Sequence, residues 1–355
     1  MSTAKSSARN LQIDCLKGIL ILLVVFAHNI QYGAGQQALD VGLWKENVLF
    51  LLMYAFHMPL FMAVSAWVMG MKPLGEGDLF SKIKRRALQI LLPAFVVAFM
   101  IEAYISWRGG DVPFRFGMSF VNRFDFLSAL FVLTVVVYLI EGLKKGKWIG
   151  YVVAMIVFMA TPAMVGRFAT QFINFLGPFF LSAFLLSKYK TVWLSMYLKY
   201  QWWLIGGCAL LFAWLFQYFH FENLMYFNEL AFWRTDNVNL ALEVLQKNMF
   251  RYLMGALASI VVGGGLHAVY SWLVAGRWVE KALVYVGRNS LGLYIYSGVI
   301  TGQLLFHFPE TTLPYTLTVQ LLETFAITVI CLVLITLLRQ NKWTAFLFLG
   351  VLPRR

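Results

Sequence analysis

Three polar side chains interrupt the apolar stretch "DCLKGILILLVVFAHN" (residues 14–29): Asp14, Lys17 and His28. On a helix, Lys17 and His28 are separated by about 1100°, three turns plus roughly 20°. They therefore share one stripe, about 16 Å apart. Asp14 lies near the same stripe, one turn below Lys17, and is placed to pair with it. An ionisable group at membrane depth is costly and usually faces the interior of a helix bundle. An imidazole so placed is a candidate for proton transfer, and the stripe as a whole is a candidate lining for a passage from one side to the other. Plainer roles remain open. Lys17 snorkels in that case, Asp14 starts the helix at the surface, and His28 is hydrogen-bonded between helices.

Other residues of chemical interest lie further along. His57 sits mid-span, two residues before Pro59, where it can bond a neighbouring carbonyl. Glu102 is expected near the depth of His28. Arg123 and Asp125 open a later span and are placed to pair with each other, while Gln171 and Asn174 add polar groups to another. Lys82, Lys84, Arg85 and Arg86 form a basic cluster, and Arg288 stands before Asn289 and Ser290, which are expected to cap a helix start. Cys15, Cys208 and Cys331 are far apart and form no CxxC pair. The five histidines lack metal-ligand spacing, so neither a disulfide framework nor a metal site is indicated.

The elements that must position these groups follow from composition. The chain has 355 residues, 61% hydrophobic and only 13% charged. Soluble domains average about a quarter charged residues, so this composition belongs in a bilayer. Apolar runs of about 20 residues recur, the length needed to cross roughly 30 Å of hydrocarbon as helix. Alternating strand patterns are absent, which points to helices rather than a barrel. The expected fold is all-α and polytopic, with about ten transmembrane helices near 15–33, 46–70, 86–106, 124–141, 148–165, 168–187, 201–220, 248–273, 279–304 and 313–338. One domain, 1–355, is expected, with short tails 1–14 and 339–355. The formal charge of +13 is explained by Lys and Arg collecting in inner loops, without nucleic acid. Placing both termini in the cytoplasm puts most basic residues inside. The N-terminus leads into the first span without a small-residue cleavage site, so an uncleaved helix is expected.

Five segments, in order, carry a family resemblance. "IDCLKGILILLVVFAH" resembles the opening of the acyltransferase family 3 membrane enzymes, whose Arg-to-His spacing Lys17 and His28 keep. "FHMPLFMAVSAWVMG" is similar to the family's Met-Pro-Leu-Phe-Phe…Ser-Gly segment, with Ala66 for Gly. "KIKRRALQILLPAF" resembles the basic stretch and proline that open the third span. "FDFLSALFVL" is similar to a Trp-Phe-Leu-x-Ala-Leu-Phe segment, with Asp125 in the Trp position. "VGRNSLGLYIYS" resembles the late Gly-x-Asn-Ser-Leu…Tyr segment, with Ser297 where His often stands. The fucose 4-O-acetylase-like branch belongs to this group.

The resemblance implies a ten-helix enzyme of the bacterial inner membrane. It implies transfer of an acetyl group from cytoplasmic acetyl-CoA to a hydroxyl of an exopolysaccharide, lipopolysaccharide or related glycan, or of a lipid-linked sugar, without a metal. His28 is then the expected general base, with Glu102 orienting its ring as a carboxylate does in hydrolytic triads and Asp14 completing the stripe. Lys17, Lys82, Arg85, Arg86 and Arg288 are expected to hold the coenzyme phosphates. Arg123, Asp125 and His57 are expected at the acceptor site. The outer-loop aromatics Tyr226, Phe232 and Trp233 are candidates for stacking on a sugar, or ordinary membrane anchors. The departures at Lys17, Asp125 and Ser297 bear on the substrate more than on the reaction class. Alternatives are succinyl transfer by the same fold, with Arg123 meeting the extra carboxylate, a flippase of a lipid-linked sugar, and an inactive scaffold. Repeated halves, common in transporters, are missing from the chain.

Overall fold

A computed structural model describes residues 10–33, 35, 42–71, 78–109, 120, 123–160, 169–224, 238–274, 276–304 and 316–352. The expected sugar-stacking residues Tyr226, Phe232 and Trp233 lie outside them, as do the ends of both tails. Among the described residues the secondary structure is helical throughout. The order is α1 (Leu11–Tyr32), α2 (Val48–Gly70), α3 (Leu79–Gly109), α4 (Asp125–Gly142), α5 (Lys147–Ala160), α6 (Thr170–Lys188) and α7 (Lys190–Phe216). Then come α8 (Val238–Ser259), α9 (Gly265–Leu273), α10 (Trp278–Arg288), α11 (Ser290–Val299), α12 (Leu317–Leu338) and α13 (Lys342–Leu349). A π-helical turn, Ile260–Gly264, joins α8 to α9, and another, Ile300–Leu304, continues α11.

Local chemistry starts these helices where the sequence supplies an oxygen for an orphan N–H. Asn10 accepts from the Ile13 amide at 3.3 Å and Asn47 from the Phe50 amide at 3.1 Å. Asn341 accepts from the Trp343 amide at 2.8 Å. Pro59, Pro93 and Pro178 lie inside helices. Neighbouring helices make that tolerable in a membrane, where they satisfy the backbone groups a proline frees.

Seven helical stretches among the described residues are long and apolar enough to cross a membrane: α1 to α4, α6, the run Leu242–Trp272, and α12. They correspond to seven of the ten expected spans. Of the other three, α5 has 14 residues and ends where the described residues stop. Helix α7 has 27 residues, but Lys190, Lys199 and Gln201 dilute its first half, and none of its side chains is buried. The third is a correction: residues 279–304 do not form one helix.

That stretch breaks at Asn289. Helix α10 crosses α1 at very close range. A Cβ on Gly18 would collide with the Leu283 carbonyl, and one on Gly287 with the Asp14 carbonyl. Two glycines meeting there let the backbones touch, the device by which small residues join membrane helices. After this crossing the chain must turn to build α11. Asn289 stands at the junction but does not cap α11 as expected; its amide group donates to the Tyr285 carbonyl at 2.8 Å.

The main core is shared by α1, α2, α3, α4, α6, α11 and α12, with Met62, Ala94, Leu133, Leu176 and Leu293 among its buried residues. A second cluster joins the outer part of α1 (Phe26, Ala27, Ile30) to the start of α2 (Phe50, Met53, Tyr54) and to Met254. It fixes the two helices that carry His28 and His57.

Candidate functional site

The α1 stripe has the expected periodicity, and its two ends have different surroundings. At the lower end Asp14 is buried, 4% exposed. Its carboxylate accepts from Arg288 Nε at 3.3 Å. Lys17, one turn along α1, had been expected as its partner; the glycine crossing brings in an arginine from far along the sequence, a contact the sequence had not suggested. Helical rise puts Asp14 about 21 Å from His28. Its place is therefore beside Arg288, and it does not reach the atoms around the imidazole.

The basic cluster lies on the first turns of α3. Lys82 and Arg86, one turn apart, are partly buried, whereas Lys84 and Arg85 are exposed. Arg86 donates to Gln89 Oε1 at 3.4 Å, and its Nε is buried with no hydrogen-bond partner. A buried N–H without an acceptor is uncommon in native structures and asks for a ligand or water. The tail helix α13 docks beside it, and the αL turn at Gly350 brings the chain against the Gln89 carbonyl.

At the upper end His28 is partly buried and its Nδ1 is buried with no hydrogen-bond partner. The Tyr32 ring lies one turn above, with centroids 6.2 Å apart. Glu102 was expected to hold the imidazole. The structure corrects this: Glu102 is buried and interacts electrostatically with Arg123, which also lies near Tyr32. The expected Arg123–Asp125 pair is corrected with it. Asp125 accepts from the Ala169 backbone N–H through one oxygen, while its Oδ1 is buried with no partner. Ala169 opens α6 with a φ of 54°, in the left-handed region that L-residues rarely occupy. The carboxylate steadies that turn. Gln171, in the next turn, also keeps a buried, partnerless oxygen.

His57 is 2% exposed. Its Nδ1 donates to the Met53 carbonyl at 2.7 Å, and its ring packs edge-on against Tyr54 with centroids 4.6 Å apart. The expected bond to a neighbouring carbonyl is therefore present. His57 and His28 are near enough to act on each other electrostatically.

Two features escaped the reading of the sequence. Asn29 beside His28 is fully buried and donates to Thr324 Oγ1 at 2.9 Å, joining a ladder of Gln320, Thr324 and Thr328 on α12. Arg251, 4% exposed, donates to the carbonyls of Asn223 and Glu222, each at 2.9 Å, and to Asn248 at 3.2 Å. Both are polar groups inside apolar runs, and that signal was available. Ser297, which stands where histidine is common in the resembling enzymes, is fully buried and its hydroxyl has no partner. Among the described residues no group of three or more His, Cys, Asp or Glu side chains is arranged to hold a metal ion.

The site thus has a basic end, built from Arg288 with Asp14 and from Lys82 and Arg86, and an imidazole end, built from His28 and His57, with Glu102 near Arg123 and Arg123 near Tyr32, one turn above His28. Comparison with known proteins finds similar sequences. A family model described as an acyltransferase domain matches residues 10–340. The chain is 24% identical over 371 residues to a protein named nodulation protein NolL from Mesorhizobium japonicum, covering 99% of this chain and 93% of that one. It is 24% identical over 305 residues to a protein of the same name from Sinorhizobium fredii, covering 84% and 80%. No solved structure matches.

Proposed function

We propose, from the premise that this chain belongs to the acyltransferase domain family and is a membrane acyltransferase, that it moves an acetyl group from cytoplasmic acetyl-CoA to a hydroxyl of a surface glycan. The acceptor is an exopolysaccharide, a lipopolysaccharide or a related, lipid-linked sugar. The observation that carries the reading is the α1 stripe, with Lys17 and His28 on one face of a helix that the family match covers from its start.

Acyl transfer needs the donor and the acceptor held together, a partner for the hydroxyl proton and stabilisation of the tetrahedral oxyanion. The basic end suits the phosphates of coenzyme A, with Lys17, Lys82, Arg85, Arg86 and Arg288 as the contacting cations. The imidazole end suits the reacting hydroxyl, with His28 at the transferring centre and Arg123 and Asp125 on the acceptor. Coenzyme A is made in the cytoplasm, so the basic end faces inward. Both termini are then inside a bacterial inner membrane crossed about ten times, with α5, α7 and α11 supplying the remaining spans. The basic loop residues support this orientation.

Mass spectrometry of surface glycans from cells with and without the chain tests the reading. A gain of one acetyl, lost in His28→Ala at unchanged protein level, is the expected result. A gain of succinyl would contradict the assigned donor. No acyl difference, with a sugar-lipid accumulating inside, would contradict acyl transfer and favour a flippase.

A further inference from the structure

The two histidines differ in how their ring nitrogens are held. His57 Nδ1 lies 2.7 Å from the Met53 carbonyl oxygen. Only an N–H can bond a carbonyl, so in the neutral ring the proton sits on Nδ1 and the lone pair on Nε2. Edge-on packing against Tyr54 fixes the ring plane. A carbonyl that pins one nitrogen so that the other can work is the usual way an imidazole is oriented as a base.

His28 is arranged in the opposite sense. Its Nδ1 is buried and meets no hydrogen-bond partner. An N–H sealed away without an acceptor loses its water and gains nothing in return, and buried donors are orphaned less often than acceptors. The proton is therefore better placed on Nε2, with the bare lone pair at the sealed position. In its resting form His28 offers a donor, not a lone pair. The shared cluster of Phe26, Ala27 and Ile30 with Phe50, Met53 and Tyr54 holds the two rings in one neighbourhood.

We infer that His57, and not His28, takes the proton from the acceptor hydroxyl, while His28 donates a hydrogen bond from Nε2 to the oxyanion. This rests on the acyl-transfer reading above and assigns the roles within it. As the hydroxyl oxygen attacks the thioester carbon, its proton passes to His57 Nε2. The carbonyl electron pair moves onto oxygen, and the His28 N–H donates a hydrogen bond to the oxyanion so formed. Collapse restores the C=O bond and breaks the C–S bond, and the departing thiolate takes the proton back from His57. Nothing is left over and no other reactant is needed.

Two conservative changes separate the roles. Asn at position 57 places a donor where Nδ1 was and so keeps the Met53 bond, but has nothing at Nε2. Gln at position 28 keeps a donor near Nε2 but cannot accept a proton. The initial rate of label transfer from radiolabelled acetyl-CoA to surface glycan is measured in native membranes containing the full chain, with protein level followed by immunoblot. The expected result is that His57→Asn falls by about 10²–10⁴-fold at normal protein level and unchanged KM for acetyl-CoA. His28→Gln should retain at least about tenfold more activity than His28→Ala, which has lost the oxyanion donor. Full activity in His57→Asn, or equal inactivity of His28→Gln and His28→Ala, would overturn the assignment while leaving acyl transfer intact. A wild-type chain that transfers no label would overturn both.

Discussion

At the scale of single residues, the lower end of the stripe depends on a pairing that joins the two ends of the sequence. Arg288 neutralises a buried carboxylate at Asp14, and a hydrogen bond to a charged group contributes about 1.5–3 kcal/mol, the lower figure suiting an arginine that is 42% exposed. Arg288→Ala should lower stability in detergent by about 1.5 kcal/mol, read as a drop in thermal midpoint. An unchanged midpoint would mean that the pair does not hold α10 to α1. Arg86 makes a different prediction: its Nε is buried with no partner, and the proposed donor site gives it the anionic coenzyme to hold. Arg86→Ala should raise the KM for acetyl-CoA about tenfold and leave kcat nearly unchanged, in steady-state assays on membranes. A loss confined to kcat would place Arg86 outside the donor site. The residues themselves, Asp14, Lys17, His28 and His57, were legible because ionisable groups stand out in apolar runs. The bond of His57 to a carbonyl of its own helix was legible as well; the long-range partners were not. Arg288 is 274 positions from Asp14, and the link between Glu102 and Arg123 depends on how α3 meets the start of α4.

At the scale of elements, the crossing of α1 and α10 sets the shape of the basic end, where the proposed function places the donor. Gly287→Val should force the helices apart, since even a Cβ at that position collides with the Asp14 backbone. Overpacking typically costs 1–3 kcal/mol, and a backbone clash that no side-chain rotation relieves belongs at the upper end. The expected outcome is a lower thermal midpoint together with loss of acetyl-CoA binding. Gly206→Ala, on α7 with open space around it, should change neither. Equal tolerance at both glycines would contradict the tight crossing. Hydropathy located the spans well where a helix is apolar all round, as in α2 and α12. It failed at 279–304, where a window of about 20 residues averages α10, which carries Glu280, Lys281 and Arg288, with the apolar α11. The break falls at Asn289, just beyond the crossing of Gly287 with Gly18; the Asn289–Ser290 pair marked a helix start there, and the hydropathy reading ran past it.

At the scale of the whole molecule, the account is of a membrane acyltransferase with chemistry at the two ends of one helix, about 16 Å apart along α1 from Lys17 to His28. A coenzyme held at the basic end must extend towards the imidazoles, so orientation in the bilayer is part of the mechanism. Reporter fusions at the C-terminus should give a fluorescent cytoplasmic reporter and an inactive periplasmic one; the reverse would contradict an inward-facing basic end. The central claim is tested most directly by mass spectrometry of the surface glycan from cells producing the wild-type chain and from cells producing His28→Ala at equal level. An acetyl on the glycan in the first and none in the second is the predicted result. An acetyl retained in His28→Ala, or absent from both, would contradict it.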